Sequence, residues 1–214
     1  EFVGGMASTM ETTVPNGESF VWNQRLGMAW VKENFGVDIK TGWFVDTFGL
    51  NAQIPQILKQ FGIGTLMASR FGSNKNHDVF ISRGVDGSEV LAAGWDTFSP
   101  YTNRQHVFYG FIHQWKEADK FFNTVSEAEG EGPFILMPGI ENEMLLSQRV
   151  VTLVEKGNRE GRGKWKIATP SHCFEALKKT GKAWPVEHGD LNPEFTGTFP
   201  QRNTIKMRNR KAEN

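Results

Sequence analysis

The sequence lacks most of the features that mark secreted, disulfide-linked or membrane-spanning proteins. Its 214 residues include a single cysteine, Cys173, so an internal disulfide framework is excluded, and the helical pattern around it favours a small buried side chain. No apolar run approaches the roughly 20 residues that a membrane-spanning helix needs, and no signal peptide is recognisable. We therefore expect no membrane association. The compartment stays open, with the cytoplasm favoured unless a segment before residue 1 carries a signal.

The chain also lacks an excess of either charge. Lys plus Arg and Asp plus Glu number 24 each, which gives a formal net charge of zero. A neutral chain produces no overall field that would attract nucleic acid or an anionic membrane. The basic segment 206–211 could contact phosphates, but such a run is more often a solvated helix face. We expect no nucleic-acid partner, and the oligomeric state is unknown.

Strand and helix patterns alternate along the chain, without an internal repeat or a low-complexity segment. Short apolar runs predict strands, and Asp86-Gly87 between two such runs predicts a hairpin. The predicted strands cover 42–45, 63–68, both arms of the hairpin within 78–96, 133–138 and 165–169. The predicted helices cover 18–35, 54–61, 105–125, 142–156 and 170–181, with a turn at 15–17 and a surface loop at 156–164. This order predicts an α/β fold with a mainly parallel sheet surrounded by helices.

The segment TGWFVDTFGLNAQIPQIL (41–58) places an aspartate directly after a strand-like run. A helix follows, with Asn51 as its expected N-cap and Gly62 at its expected C-terminal end. Its apolar residues recur at the spacing of an amphipathic helix: Ile54, Ile57, Leu58 and Phe61. Asp46 is therefore predicted to lie where a strand ends and a loop begins, which is the edge that carries chemistry in α/β folds.

Three polar residues follow strand-like runs, namely Asp46, Arg70 and Asp96. If the strands are neighbours, the three side chains meet at one sheet edge. A nearby guanidinium would keep Asp46 ionised, whereas the apolar neighbours Trp95 and Phe98 could raise the pKa of Asp96 for acid catalysis. Two carboxyl groups with separated pKa values are typical of a glycosidase. On spacing alone, the alternative is that both aspartates are ordinary turn or capping residues.

A family resemblance extends over the whole chain. GWFVDTFGLNAQIPQILKQFGI resembles the signature of family 38 glycoside hydrolases, the retaining α-mannosidases, which reads W-x-x-D-x-F-G before a helix with P-Q-I-L and then G-I. VGGM with VPNGES, DGSEVL with DTF, and the segment 189–214 resemble further blocks of that family, in its order. The resemblance implies that 1–205 form part of a barrel-like α/β catalytic domain, incomplete at both ends. It implies that 206–214 begin a helical-bundle domain.

The resemblance also assigns residue roles. It implies that Asp46 is the nucleophile and a zinc ligand, that Asp96 is the general acid/base, and that Arg70 faces the nucleophile. Trp43 and Phe48 would line the sugar site. The implied reaction is hydrolysis of terminal α-mannosidic linkages with retention, on a mannose-containing oligosaccharide or a small mannoside. Zinc (Zn2+) would hold two adjacent sugar hydroxyls.

The chain also departs from the family pattern. The family's zinc site needs a His-x-Asp pair and a further histidine, which are expected outside this chain, so Asp46 is the one ligand present. Glu11 and the segment 140–142 differ from the aspartates of relatives, which would alter the sugar subsites. His188-Gly189-Asp190 spells a His-x-Asp pair, but its extended surroundings favour an exposed turn. The remaining histidines show no ligand spacing: His77, His106, His113 and His172. We expect the chain alone to be inactive and to bind zinc weakly.

Two other functions stay open at this point. One is a non-catalytic carbohydrate-binding remnant, in which a truncated pocket accepts sugar without metal. The other is a metal-dependent deacetylase of the polysaccharide deacetylase type, on a related α/β barrel. That enzyme would need two histidines near Asp46, and the sequence does not show them.

Overall fold

A computed structural model describes residues 1–44, 47–68, 79–93, 148–191 and 202–213. The strands are β1 (Thr41–Phe44), β2 (Thr65–Ala68), β3 (Val79–Arg83), β4 (Glu89–Ala93) and β5 (Val186–His188). The helices are α1 (Gly17–Phe35), α2 (Ile54–Gln60), α3 (Arg149–Arg159), α4 (Pro170–Lys179) and α5 (Asn203–Glu213). No helix within the described ranges is long and apolar enough to cross a bilayer. The predicted strand at 133–138 and helix at 105–125 lie outside these ranges.

The strands form one mixed sheet in the order β1-β2-β4-β3-β5. β1 pairs with β2 and β2 with β4 in parallel. β3 is antiparallel to β4 and parallel to β5. The expected α/β fold with a mostly parallel sheet is therefore confirmed. The predicted hairpin is confirmed as well, since Gly87 adopts a φ of 85° between β3 and β4, a conformation that glycine reaches without steric cost.

Alternation along the strands divides the core between the two faces of the sheet. On one face, Phe44, Leu66 and Phe80 pack with residues of α1 and α2. We call this the α1/α2 face. On the other, Met67 and Leu91 pack with residues of α4, and we call this the α4 face. The α4 residues in this cluster are buried: Phe174 and Leu177. Helices thus cover both faces, as expected for an α/β domain.

The ends of α1 follow from its flanking residues. The Asn16 side chain accepts a hydrogen bond from the Ser19 amide at 2.7 Å and so caps the first turn. The predicted turn at 15–17 is therefore the entry to the helix. At the other end Gly36 has a φ of 68° and donates its N–H to the Lys32 carbonyl. A left-handed glycine of this kind ends a helix, and the predicted helix end at residue 35 is confirmed.

The start of α2 differs from the prediction. Gln53, not Asn51, occupies the N-cap position, without a side-chain capping bond. The Asn51 side chain instead accepts from the Gln53 amide at 2.9 Å, which forms a turn before the helix. Pro55 then fixes the first helical turn. The C-terminal prediction is confirmed, because Gly62 has a φ of 73°.

The predictions for 142–169 are partly wrong. Within the described residues the helix spans Arg149–Arg159, so it continues into the segment predicted as a loop. No strand forms at 165–169. The Asn158 amide takes the place of a neighbouring strand, because its Oδ1 accepts from the Trp165 N–H at 2.8 Å and its Nδ2 donates to the Trp165 carbonyl at 3.0 Å. Ile167 is 56% exposed, so this apolar run does not belong to the core.

Segment 4–8 lies against α1 at very short range. A Cβ on Gly27 would lie 2.3 Å from the Gly5 carbonyl oxygen and 2.4 Å from the Ala7 nitrogen. Asn23 exchanges two side-chain hydrogen bonds with the Ser8 backbone. Glycine at position 27 is therefore required for this close approach of two backbones.

Candidate active site at the carboxyl edge of the sheet

Three parallel strands end side by side at one edge of the sheet. The register pairs Phe44 of β1 with Ala68 of β2, and Met67 of β2 with Ala93 of β4. Carboxyl ends of neighbouring parallel strands share an edge, which is where ligands bind in open α/β sheets. The carboxyl ends of β1, β2 and β4 therefore form the framework of the candidate site.

The three polar residues predicted for this edge follow these strands in the sequence. Asp46 comes two residues after β1, Arg70 two residues after β2 and Asp96 three residues after β4. All three lie outside the described residues. Their convergence therefore stays a prediction, although the strands that precede them are neighbours.

The loop that follows Asp46 is described from residue 47 onward, and we call residues 47–52 the β1–α2 loop. Its first residue is tied back to the strand end, because the Thr47 hydroxyl donates to the Phe44 carbonyl at 3.2 Å. Thr47 is buried. The loop therefore leaves the end of β1 from a fixed position.

Two residues near the N-terminus bind the next part of this loop. The Glu11 carboxylate accepts from the Phe48 N–H, at 3.4 Å and 3.3 Å to its two oxygens. The Thr12 hydroxyl donates to the Gly49 carbonyl and accepts from the Asn51 N–H, both at 3.0 Å. These bonds join positions 37 and 39 residues apart, so the loop is held by tertiary structure.

A second remote segment binds the rest of the loop. Leu50 and Leu191 exchange two backbone hydrogen bonds, of 2.7 Å and 2.9 Å, and both side chains are buried. The Asp190 carboxylate accepts from the Ala52 N–H at 2.8 Å. Asp190 therefore stabilises the loop backbone just before α2.

The His188-Gly189-Asp190 motif is exposed, as predicted, but His188 is the last residue of β5 and the bend follows at Gly189. Gly189 has a φ of 85°, and all three residues are exposed. Within the described ranges, no group of three or more His, Cys, Asp or Glu side chains could hold a metal ion. His172 contacts the Thr169 hydroxyl through Nδ1 at 3.1 Å, whereas His77, His106 and His113 lie outside the described residues.

The two predicted sugar-lining aromatics are both half-buried. Trp43 packs against the cluster on the α4 face, and its Cβ would lie 3.3 Å from a Cβ placed on Gly4. Phe48 belongs to the β1–α2 loop and donates its N–H to Glu11. Their contact with a sugar stays a prediction.

The single cysteine has the environment of a structural residue. Cys173 packs against the α4-face cluster and is half-buried. Burial raises the pKa of its thiol, and the nearby Glu1 carboxylate raises it further. A thiol with a raised pKa is a poor nucleophile near neutrality, although the side chain is less buried than its helical pattern predicts.

Sequence reasoning missed the residues that hold the β1–α2 loop. The sequence indicates Glu11 only as a replacement for an aspartate and Asp190 only as half of a His-x-Asp pair, and it gives no signal for Thr12. No local pattern marks these roles, because each bond joins segments that meet only in the folded chain. The family blocks around positions 3–19 and 189–214 did place both segments in the same domain.

Comparison with known proteins identifies the family. Residues 1–200 match the profile of the glycosyl hydrolases family 38 N-terminal domain. The chain belongs to this family. The match covers most of its 214 residues, as the ordered sequence blocks led us to expect.

Named relatives are similar over nearly the whole chain. Alpha-mannosidase G of Dictyostelium discoideum is 27% identical over 221 residues, which cover 98% of this chain and 19% of the relative. Alpha-mannosidase 2C1 of Homo sapiens is 27% identical over 218 residues, which cover 99% of this chain and 20% of the relative. The chain therefore spans about a fifth of the length of these relatives.

A solved structure has the same fold. The crystal structure of an alpha-mannosidase from Enterococcus faecalis V583 matches with a TM-score of 0.68 and 16% sequence identity, over 89% of this chain and 22% of that chain. At this level of identity the likeness concerns the fold. It agrees with the α/β arrangement described above.

Proposed function

We propose that the protein containing this chain hydrolyses terminal α-mannosidic linkages with retention of configuration. Family membership and relatives named alpha-mannosidases support this assignment. The observation that carries it is the shared edge of β1, β2 and β4. Each of these strands is followed within three residues by one of the polar residues of the proposed site, Asp46, Arg70 and Asp96.

The proposed reaction is a double displacement. Asp46 attacks the anomeric carbon while Asp96 protonates the leaving oxygen, and Asp96 then takes a proton from the water that releases the sugar. The Arg70 guanidinium keeps Asp46 ionised. Trp43 and Phe48 line the sugar site. The two carboxyl groups should lie roughly 5 to 5.5 Å apart, the separation typical of retaining enzymes.

Zinc binding is part of the proposal, but the described residues do not form a zinc site. They contain no group of three potential ligands, whereas a catalytic zinc is held by three protein ligands. We assign Asp46 as one ligand and place the others outside this chain, in a barrel-like domain of which the five strands form a part. When bound, zinc would hold two adjacent hydroxyls of mannose. The 214 residues alone should then bind zinc weakly and show no turnover.

The test uses the longest natural open reading frame that contains these residues. Asp46→Asn should abolish hydrolysis of an aryl α-mannoside, with a loss above about 10³-fold, and should lower the zinc content. With a substrate whose leaving group needs no protonation, Asp96→Asn should regain the first step, formation of the glycosyl-enzyme, while release of the sugar stays slow because the attacking water lacks its base. The matched control is Asp86→Asn, an exposed aspartate whose bonds to Ser88 lie in the hairpin turn.

Other outcomes would replace this assignment. More than about a tenth of wild-type turnover in Asp46→Asn would mean that Asp46 is not the nucleophile. Proton NMR of the first product should show the α-anomer, and the β-anomer would exclude retention. Mannoside binding without zinc or turnover would favour a carbohydrate-binding remnant. Release of acetate from an acetylated glycan would favour a deacetylase.

A further inference from the structure

We propose that Thr12 and Asp190 are positioning residues, which fix the β1–α2 loop and through it the nucleophile that precedes the loop. The inference rests on the assignment of Asp46 proposed above. It adds two residues whose positioning role no local sequence pattern indicates. They lie on segments that flank the loop but contribute no atom to the proposed reaction.

The first support is that the loop backbone is bonded residue by residue. Each of the five consecutive residues 48–52 has a main-chain group bonded to one of two remote segments, 11–12 or 190–191. A surface loop of this length usually satisfies much of its backbone with water. The main chain of this loop is instead hydrogen-bonded to other protein groups along its length, as in a rigid element.

Thr12 has the central place in this arrangement. Thr12 is 5% exposed, and its one hydroxyl both donates to the Gly49 carbonyl and accepts from the Asn51 N–H. Valine has nearly the same shape but can make neither bond, so Thr12→Val would leave two main-chain groups without their partner. Because unpaired buried polar groups are costly, the loop would shift to reach water.

Asp190 binds Ala52, the last residue of the loop. Its side chain is exposed, and its Oδ1 accepts from the Ala52 N–H at 2.8 Å. The adjacent Leu191 pairs with Leu50 through the backbone alone. Loss of the Asp190 carboxylate would therefore release one anchor and leave the buried leucine pair in place.

Movement of the loop would reach the proposed nucleophile through the chain itself. Thr47, the first residue of the loop, is covalently bonded to Asp46 and donates to the Phe44 carbonyl at the end of β1. Displacement of a reacting group by about 1 Å can cost 10²-fold in rate. Positioning residues should therefore affect turnover more than substrate affinity.

The experiment measures kcat and KM for an aryl α-mannoside in the full open reading frame. Thr12→Val should lower kcat by about 10- to 100-fold with KM within about threefold of wild type. Thr12→Ser keeps the hydroxyl and should restore kcat. Asp190→Ala should lower kcat by a smaller factor, and Asp190→Asn, which keeps an acceptor oxygen, should restore it.

A matched control separates positioning from general destabilisation. Thr41→Val removes a buried hydroxyl that bonds the Thr65 hydroxyl at 2.9 Å, at the opposite end of β1 from the loop. It should leave kcat unchanged. If Thr12→Val matches Thr41→Val in kcat, the proposal is wrong. If Thr12→Val yields no folded protein, the exposed Asp190 decides: unchanged kcat in Asp190→Ala overturns the proposal.

Asp46→Asn in the same assay distinguishes this proposal from the one on which it rests. Loss of turnover in Asp46→Asn together with wild-type kcat in the Thr12 and Asp190 variants would overturn positioning alone. Turnover retained in Asp46→Asn would overturn the nucleophile assignment. In that case, a kcat loss confined to Thr12→Val and Asp190→Ala would still show that the loop positions a reacting group.

Discussion

The two faces of the sheet are built differently from the same strands. In the described part of the chain, the α1/α2 face has fourteen buried residues in one cluster and the α4 face has five. The larger cluster comes almost entirely from the first 92 positions, with Leu191 as the late addition. The smaller one depends on α4, more than 75 positions after β4. One face is therefore formed by chain neighbours, and the other is closed by a distant helix.

This difference has a physical consequence for the site. The β1–α2 loop packs through Leu50 into the larger cluster, so it is supported by the better buried face. Trp43 and Cys173 remain half-buried at the edge of the smaller cluster. We expect substitutions on the two faces to destabilise different elements of the molecule. The predictions below test that expectation.

The largest effect should come from paired truncations, one on each face. Phe80 and Phe174 are both fully buried, on the α1/α2 face and the α4 face respectively. Phe80→Ala should lower the free energy of unfolding by about 4 kcal/mol and Phe174→Ala by about 3 kcal/mol, since the cost includes the cavity left behind. Hydrogen exchange with mass spectrometry should show Phe80→Ala deprotecting β1 to β4, and Phe174→Ala deprotecting mainly α4. Equal deprotection of all elements by both variants would remove the distinction between the faces.

A smaller effect should follow from Gly27→Ala, in α1 at its contact with segment 4–8. The added methyl would overlap backbone atoms of Gly5 and Ala7, which cannot move aside as a side chain could. We expect a loss of about 2 kcal/mol, within the usual range for overpacking. Faster hydrogen exchange should appear in segment 4–8. Gly17→Ala is the control, because nothing lies within 4 Å of its added Cβ, and wild-type exchange in both variants would contradict the close packing.

The smallest effect concerns the pH dependence of Cys173 on the α4 face. Burial raises the pKa of this thiol above its usual value, so the folded chain keeps the proton to a higher pH than the unfolded chain. Its contribution to stability is therefore complete below the unfolded pKa and is lost as the pH rises through the folded pKa. Alkylation by iodoacetamide, which requires the thiolate, should at pH 8.5 be several-fold slower than for a cysteine peptide. Addition of urea should abolish the difference, and equal rates without urea would show that the α4 face is open at this position.

Local sequence signals predicted much of the framework. The predicted turn at 15–17 and the predicted helix end at residue 35 coincide with the caps of α1, Asn16 and Gly36, because capping depends on a few adjacent residues. The hairpin at Asp86-Gly87 likewise needs only its own turn. Short apolar runs at β1, β2 and β4 predicted buried strands, and the alternation of strand and helix patterns predicted the parallel part of the sheet.

The failures occur where a side chain outside the local pattern decides the outcome. Residues 165–169 have the composition of a strand, but Asn158 bonds both main-chain groups of Trp165. Asn51 suits an N-cap, yet the loop bonds to Thr12 place it before the helix. For the site, the positions of the three polar residues after strand-like runs indicated that they lie at one sheet edge. The specific roles of Asp46 and Asp96 came from the family resemblance. The anchors of the loop could not be predicted, because they depend on tertiary pairing.

The bond between Ala52 and Asp190 joins positions 138 residues apart, and this separation has a consequence for how the molecule acquires its shape. Contacts so distant in sequence are slow to form, because the intervening chain must first be ordered. During synthesis, segment 4–8 can dock on α1 once residue 35 has left the ribosome, whereas the β1–α2 loop gains its last anchors only after residue 191 has left the ribosome. At about 5 to 20 residues per second, the nascent chain passes through many seconds with α1, β1 and β2 complete and this loop still unanchored. The strand that precedes the proposed nucleophile is thus synthesised early, whereas the loop that positions the nucleophile is fixed late.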